Sequence, residues 1–223
     1  MTVGHREGII EWVNGAIPLS TIMHEYGAHG ESNPIQAFMR RKNFSPTDPY
    51  FIDAMVMDTF LRSCAGYSVI TYVLGVGDRH LDNLLMKSSG ELMHVDFGYM
   101  FGRDPKPFKP QLRFTQEMLL AMGGENSPLY EKFLQYCCLS YNIIRRSSVV
   151  ILSYLRMTCH VGISDLSVKQ SPADAILAVS DRLQLDLDDN RAFEHMRSVI
   201  EDSQSAVMPV VMEQMHRIAS VWR

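Results

Sequence analysis

The sequence Asp-Arg-His-Leu-Asp-Asn at residues 78–83, followed by His-Val-Asp-Phe-Gly at residues 94–98, decides the fold of this chain. Two short apolar runs flank the polar residues 87–91 between these motifs, and this pattern predicts a β-hairpin. Asn83 comes directly before the first predicted strand, and Asp96 comes directly after the second. A tight hairpin therefore places Asn83 and Asp96 side by side, at the end where the two polar loops meet.

The side chains of these two loops are the types that phosphoryl transfer needs. Asn83 and Asp96 offer oxygen ligands, and Mg²⁺ takes few protein ligands and leaves positions for phosphate oxygens. Asp78 can face an acceptor hydroxyl, and His80 is a second candidate base because its pKa can be tuned near neutrality. The same residue types also cap turns. Their occurrence together on facing loops favours a site that transfers a phosphoryl group from a nucleotide.

Composition and charge set the class of the chain. With 223 residues, of which 46% are hydrophobic and 21% charged, it is typical of a globular protein with a substantial core. A net charge of −4 gives no basic field, so no nucleic-acid partner is predicted. The 4 cysteines do not have the spacing of metal ligands. No apolar run reaches the ~18 residues of a membrane span, and the first residues lack the apolar core of a signal peptide. These features predict a cytoplasmic protein in a reducing compartment.

The rest of the sequence has a mostly helical pattern. Residues 9–13 predict a short strand. Residues 50–74 are too densely apolar for a surface helix and predict one long, nearly buried helix, in which Gly66 allows close packing. Beyond residue 115 nearly every segment has helical periodicity, and Ser171 marks a helix start. We therefore predict an α+β fold, mostly α, in which a small β-hairpin carries the two polar loops.

Longer motifs around the two loops resemble a known family. Residues 75–83 and 94–108 resemble the catalytic and activation loops of the phosphatidylinositol 3-kinases, in particular the class III, vacuolar-sorting type. Residues 63–67, 69–72 and 213–223 resemble the same class, so the likeness covers essentially the whole chain. Protein kinases share the spacing but carry His-Arg-Asp where this chain has Asp-Arg-His. The resemblance implies the large, C-terminal lobe of a kinase-like fold.

The resemblance implies a role for each polar residue of the two loops. Asp96 and Asn83 correspond to the residues that hold the Mg²⁺ (or Mn²⁺) of ATP. Asp78 and His80 correspond to the residues that deprotonate or orient the inositol 3-hydroxyl, and which of them is the base stays open. Arg79 belongs to the catalytic loop and is expected to brace it rather than to touch the substrate.

The resemblance also implies an adenine site. Glu11, Trp12 and Val13 correspond to the hinge whose backbone binds adenine, with Trp12 at the edge of the ring. Leu85 and Val95 would form the apolar floor beneath it. From spacing alone, these five residues would be assigned to core packing.

The loop after Asp96 bears on the acceptor. Arg103, Lys106 and Lys109 lie among three prolines in residues 102–110 and can meet a phosphodiester and an anionic bilayer. Relatives that use multiply phosphorylated inositides carry a denser basic run here. The sparse charge favours unphosphorylated phosphatidylinositol, although the same pattern also suits a solvated loop.

The last residues predict an amphipathic helix. Val211, Met215, Ile218 and Trp222 recur near the helical period, and a terminal Trp suits a bilayer interface. Packing of this helix on the kinase core is an equally good interpretation. Pro209 is expected to break or kink the helix at its start.

The resemblance defines a domain organisation as well. Residues 1–14 correspond to the end of the small lobe and its hinge strand, and residues 15–223 to the large lobe. Within the large lobe we expect the catalytic loop at 75–84, the activation segment at 96–115 and a C-terminal helix at 210–223. No Gly-rich phosphate loop and no Val-Ala-Ile-Lys-like strand precedes the catalytic loop. We therefore expect the chain to be the C-terminal lobe of a larger enzyme, without its small lobe.

The implied function is ATP-dependent phosphorylation of phosphatidylinositol at the 3-hydroxyl, in endosomal or vacuolar sorting and in autophagy. The implied partners are phosphatidylinositol in membranes, a regulatory kinase-like subunit and a beclin-type subunit. The implied location is the cytoplasmic surface of endosomal and autophagic membranes. Two alternatives stay open: a phosphatidylinositol-kinase-like protein serine/threonine kinase, and a non-catalytic lobe that acts as a binding module.

Overall fold

The computed structural model describes residues 2–4, 7–27, 33–105, 111–160 and 171–205. It is mostly helical with a small antiparallel sheet, so the predicted α+β class is confirmed. The strands are β1 (Thr2–Gly4), β2 (Glu7–Gly8), β3 (Ala16–Pro18), β4 (Leu84–Lys87) and β5 (Leu92–His94). The helices are α1 (Leu19–Gly27), α2 (Pro34–Arg40), α3 (Ala54–Val73), α4 (Gln116–Ala121), α5 (Pro128–Arg146), α6 (Ser148–His160), α7 (Pro172–Leu183) and α8 (Asp189–Ser205). None of the described helices is long and apolar enough to cross a membrane.

The predicted β-hairpin is formed by β4 and β5. Leu84 pairs with His94 and Met86 with Leu92, and β3 adds a third antiparallel strand along the other edge of β4. The strand predicted at residues 9–13 is wrong, because this segment is irregular and exposed. Pairing with the sheet begins at Ala16, after a turn, so the β-favouring residues before that turn have no described strand to pair with.

The long buried helix is α3, and its start differs from the prediction. It begins at Ala54 because the Asp53 carboxylate caps it by accepting hydrogen bonds from the backbone N–H groups of Met55 and Val56. The preceding residues form a separate 3₁₀ turn, Pro49–Phe51, in which Tyr50 has a φ of 58°. A left-handed residue interrupts an α-helix, so α3 could not extend back to residue 50.

The hairpin tip packs on α3 through a glycine. Gly90 has a φ of +100°, and a Cβ there would overlap the carbonyl oxygen of Val56. Ser63 joins the same contact, because its hydroxyl accepts a hydrogen bond from the Leu92 N–H at 3.0 Å. Gly66, which was predicted to allow close packing, is exposed with nothing within 4 Å of its Cβ position, so that prediction is wrong. The close approach to α3 is made from the hairpin side instead.

The core is completed by α5, which packs between α3 and α8. Cys64, Cys137 and Cys138 are buried in it as free thiols, and burial raises the pKa of each. Buried thiols of raised pKa are unreactive and serve as small apolar residues.

The predicted helix start at Ser171 is present as a capping box with Asp174 at the beginning of α7.

A polar cluster joins the surfaces of α3 and α5. Asp58 accepts hydrogen bonds from Arg62 Nε at 2.6 Å and the Tyr136 hydroxyl at 2.9 Å, and it pairs with Lys132 Nζ at 2.8 Å. The Arg62 hydrogen bond is the main reason why the pKa of Asp58 is far below its usual range, and Lys132 adds to the effect.

We expect Asp58→Asn to lower the free energy of unfolding by about 1 kcal/mol near pH 7, as for a networked surface ion pair. Because the pKa of the folded state is depressed, this contribution is complete above the unfolded pKa of about 4 and is lost as the pH falls toward the folded pKa. Urea unfolding at pH 7 and pH 3 measures it, with the exposed Asp186→Asn as control. An equal difference between wild type and Asp58→Asn at both pH values would contradict the assignment.

Candidate active site

The two polar loops meet at the base of the hairpin. The Val95 N–H donates to the Asn83 carbonyl at 3.0 Å, so Asn83 lies across from the residue directly before Asp96. Asn83 is buried, and its Nδ2 donates to the Asp78 carbonyl at 3.0 Å, so the amide oxygen is the atom that remains to ligate a cation. Asp96 is exposed, has a φ of +59°, and accepts from the Gly98 N–H at 3.1 Å.

The catalytic loop is a series of tight turns. Asp78 has a φ of +51°, and its carbonyl accepts from the His80 N–H at 3.1 Å. A short 3₁₀ helix, Leu81–Asn83, then carries the chain into β4. His80 Nδ1 lies 3.5 Å from an Asp82 carboxylate oxygen, and the other oxygen of that carboxylate accepts from the Ser20 hydroxyl. Asp78 and His80 are thus held on one partly exposed loop close to Asn83.

Arg79 connects the catalytic loop to the Asp-Phe-Gly loop. Its guanidinium group donates to the carbonyl oxygens of Gly77 at 2.8 Å, of Val95 at 2.7 Å and of Asp96. Its Cζ lies 5.7 Å from the centre of the Phe97 ring. Because all three acceptors are backbone atoms of the two loops, Arg79 is a brace in this structure.

The charge of Arg79 balances the acids of the site. Burial lowers the pKa of Arg79, and the nearby carboxylates oppose that effect, so it remains a cation. The acids concerned are Asp96, Asp78 and Asp104. One partly buried guanidinium therefore offsets the repulsion among three carboxylates.

The segment before Asp78 is hydrogen-bonded to the activation segment. Four hydrogen bonds of 2.8–3.0 Å join the two, three of them between backbone groups and one to a carboxylate. They run from Phe101 N to Leu74 O, Gly102 N to Gly75 O, Gly77 N to Tyr99 O, and Asp78 N to Asp104 Oδ2. The start of the activation segment is therefore fixed to the catalytic loop.

Glycines make this contact possible. A Cβ on Gly77 would overlap the Arg103 carbonyl oxygen and lie 2.8 Å from Asp104 Oδ2. Gly75 has a φ of +57°, and a Cβ there would lie 2.5 Å from the Gly102 nitrogen. Neither glycine can carry a side chain while the two segments stay together.

The residues predicted to bind adenine lie in two places: two at the sheet and three in the segment before β3. Leu85 is half-buried between two buried neighbours in β4, so it lies on the outward face of the sheet, and the half-buried Val95 follows directly after β5. Glu11, Trp12 and Val13 lie in the exposed irregular segment that leads into β3, and 80% of Trp12 is accessible. β3 pairs with β4, so this segment approaches the sheet on the strand that carries Leu85.

The predicted substrate-binding residues are only partly described. Arg103 is half-buried, and its N–H donates to the Met100 carbonyl at 3.1 Å. Lys106 and Lys109 lie outside the described residues, as does the C-terminal helix predicted at 210–223.

The sequence interpretation overlooked several residues of the site. Gly75, Gly77 and Asp104 were not singled out, although two glycines spaced two apart before the catalytic loop are a signal for a close backbone approach. His94 was also missed: it is buried and stacked on Tyr67, with ring centres 4.9 Å apart. Burial, and secondarily the charge of Arg79, lowers the pKa of His94 to about 3, so the ring stays neutral.

The donor set at the hairpin base fits a hard divalent cation. An amide oxygen and a carboxylate are ligands that Mg²⁺ accepts, and two protein ligands leave most of its coordination sphere for phosphate oxygens and water. The described residues contain no cluster of three His, Cys, Asp or Glu side chains arranged for a metal. Two protein ligands suit a metal that arrives with a nucleotide, because the phosphate oxygens complete its coordination.

A helical lobe with this hairpin and these facing loops defines a kinase-like phosphotransferase domain. Residues 1–168 match the family model described as phosphatidylinositol 3- and 4-kinase. The chain belongs to this family, which confirms the resemblance seen in the two loops.

Similar proteins carry corresponding names. The chain is 40% identical over 223 residues to phosphatidylinositol 3-kinase VPS34 of Arabidopsis thaliana and 38% identical over 223 residues to the protein of that name in Saccharomyces cerevisiae. Each alignment covers 100% of this chain, but 26% and 24% of the respective relatives. The catalytic subunit type 3 of Caenorhabditis elegans phosphatidylinositol 3-kinase is 40% identical over 217 residues, which are 97% of this chain and 23% of that protein. The chain thus spans about a quarter of the length of these relatives.

Proposed function

We propose that this protein transfers the γ-phosphoryl group of ATP to the 3-hydroxyl of phosphatidylinositol and so forms phosphatidylinositol 3-phosphate. The proposal is supported by the position of Asn83 across from the residue before Asp96 at the hairpin base, with Asp78 and His80 on the adjoining loop. The names of the relatives support the lipid acceptor and the 3-position.

The residues would divide the chemistry as follows. Asp96 and the Asn83 amide oxygen would hold Mg²⁺ (or Mn²⁺), which would supply positive charge to offset that of the phosphates. Since His80 Nδ1 faces Asp82, Nε2 would accept the proton of the inositol hydroxyl as its oxygen bonds to the γ-phosphorus. The bond from that phosphorus to the bridging oxygen breaks, and ADP leaves with the electron pair. Asp78 would orient the hydroxyl, and Arg79 would hold the two loops together.

The sequence of the activation segment suits a lipid with a single phosphodiester. Arg103 in the described part of the activation segment, with Lys106 and Lys109 beyond it, gives a sparse positive charge. Such a loop can pair with one phosphodiester but offers few cations for additional phosphates, which favours unphosphorylated phosphatidylinositol as the substrate. By the same similarity we propose that the enzyme acts at cytoplasmic surfaces of endosomal and autophagic membranes, in sorting and autophagy. A kinase-like regulatory subunit and a beclin-type subunit are its proposed partners.

A headgroup comparison tests the proposal. The full-length protein is incubated with labelled ATP, Mg²⁺ and vesicles of phosphatidylinositol, phosphatidylinositol 4-phosphate or phosphatidylinositol 4,5-bisphosphate, and with a mixed serine peptide library. We expect label in phosphatidylinositol 3-phosphate alone. Label in peptide alone would indicate a protein kinase, and neither turnover nor ATP binding would indicate a non-catalytic binding module.

A further inference from the structure

Arg182, in the last turn of α7, is a positively charged residue with no part in the chemistry described above. Its guanidinium group lies against two glycines that are distant from it in sequence. A Cβ on Gly75 would lie 2.8 Å from Arg182 Cζ and 3.0 Å from Nη2. A Cβ on Gly102 would lie 3.0 Å from the same Nη2. The guanidinium group thus occupies the space that side chains at both positions would need.

The two glycines mark the junction between the catalytic loop and the activation segment. The Gly102 N–H donates to the Gly75 carbonyl at 2.9 Å, and the neighbouring Phe101 N–H donates to the Leu74 carbonyl at 2.8 Å. Arg182 therefore touches both partners of the first of these hydrogen bonds. From this position it limits how far the two segments can separate or slide.

The backbone that carries Arg182 is itself firmly held. The Tyr141 hydroxyl donates to the Arg182 carbonyl at 2.7 Å. Arg145 donates from Nε to the Leu183 carbonyl at 2.9 Å and from Nη2 to the Gln184 carbonyl at 3.0 Å. Both donors belong to α5 in the core, so the C-terminal end of α7 has its terminal carbonyls satisfied by fixed side chains. The Arg182 side chain is therefore attached to a backbone that these hydrogen bonds fix in place.

The charge of Arg182 has little local compensation. Its Nη1 donates to the Ala178 carbonyl of its own helix at 2.7 Å, and it makes no ion pair with any residue in the described ranges. Burial lowers its pKa, opposed by the Tyr72 hydroxyl and the Asp181 carboxylate. A partly buried cation without an ion pair is costly, and an apolar side chain of similar length would avoid that cost. Core packing alone therefore does not account for an arginine here.

We propose that Arg182 is a positioning residue that fixes the activation segment against the catalytic loop and so sets the acceptor hydroxyl relative to His80 and Asp78. The inference rests on the proposed lipid-kinase function for its catalytic consequence. The other part of the inference, that Arg182 fixes the activation segment against the catalytic loop, depends only on the contacts described above. Because misplacement of reacting groups by about 1 Å costs on the order of 100-fold in rate, loosening of this junction should appear in kcat.

The test uses Arg182→Met and Arg182→Lys in the full-length protein, with the exposed Arg191→Met of α8 as control. We expect Arg182→Met to lower kcat for phosphatidylinositol by about tenfold or more, while KM for ATP changes less than about twofold, because Arg182 lies against Gly75 and Gly102 and not against the proposed metal ligands Asn83 and Asp96. Arg182→Lys, which keeps the charge and part of the length, should recover part of the loss. Thermal unfolding of each variant shows whether it is folded.

Amide hydrogen exchange provides a readout that does not need activity. We expect faster exchange at Phe101 and Gly102 in Arg182→Met, with unchanged exchange at Met86 and Val95 in the hairpin. Folded variants with wild-type kcat and wild-type exchange at Phe101 and Gly102 would overturn the proposal. If Arg182→Met does not fold, the same two measurements on Arg182→Lys decide in the same way. If the wild type has no lipid turnover, the proposed function fails, and exchange alone still decides the role of Arg182.

Discussion

Replacing Asp96 with Asn is expected to reduce phosphatidylinositol phosphorylation by about a thousandfold or more, because the proposed metal ligand would lose its negative charge and the phosphates would lose charge stabilisation. The substitution keeps the size of the side chain and an oxygen that can accept from the Gly98 N–H, so the loop should keep its conformation. Affinity for Mg²⁺–ATP should fall together with turnover.

The measurement is the initial rate of phosphatidylinositol 3-phosphate formation, with magnesium titrated at fixed ATP. Asp186→Asn, an exposed carboxylate in the turn between α7 and α8, is the matched control and should retain wild-type turnover. Turnover by Asp96→Asn within about threefold of wild type would remove Asp96 from the metal site, since a lost metal ligand costs far more than that.

Gly77→Ala is expected to lower turnover by about 100-fold and the free energy of unfolding by about 1–3 kcal/mol, because the added methyl group forces the catalytic loop away from the activation segment. A Cβ at this position would lie 2.8 Å from Asp104 Oδ2 and would overlap the Arg103 carbonyl oxygen. The N–H of Gly77 donates to Tyr99, so displacement would also strain that hydrogen bond.

The matched control is Gly66→Ala, the same change on the exposed face of α3, where nothing lies within 4 Å of the new atom. It should stabilise the protein by up to about 1 kcal/mol through helix propensity, with unchanged turnover. Kinetics and urea unfolding of both variants give the comparison. Equal effects of the two substitutions would show that the loops do not need the close approach seen at Gly77.

Features fixed by neighbouring residues were predictable from the sequence. The hairpin, the buried helix α3 and the capped start of α7 each depend on local patterns of apolar, turn and capping residues. The position of Asn83 across from the residue before Asp96 followed from the hairpin, because residues that flank a tight hairpin lie at its open end. The family resemblance then supplied roles that local patterns do not contain.

Features that depend on distant partners were not predictable. Ile9 to Val13 have strand-forming side chains, but a strand also needs a partner, and the sheet begins only at Ala16. The close approach to α3 was assigned to Gly66, whereas Gly90, far along the chain, makes it. Arg182 reaches the catalytic loop from a helix about a hundred residues away, and no spacing rule relates the two.

The Arg79 brace has a consequence for mutational tolerance. Its acceptors are backbone carbonyl oxygens of Gly77, Val95 and Asp96, so none of the three hydrogen bonds uses a side-chain atom of the acceptor residue. Side-chain substitution at Val95 is therefore expected to leave this hydrogen bond of the brace intact. On the donor side, by contrast, all three hydrogen bonds depend on one side chain, Arg79.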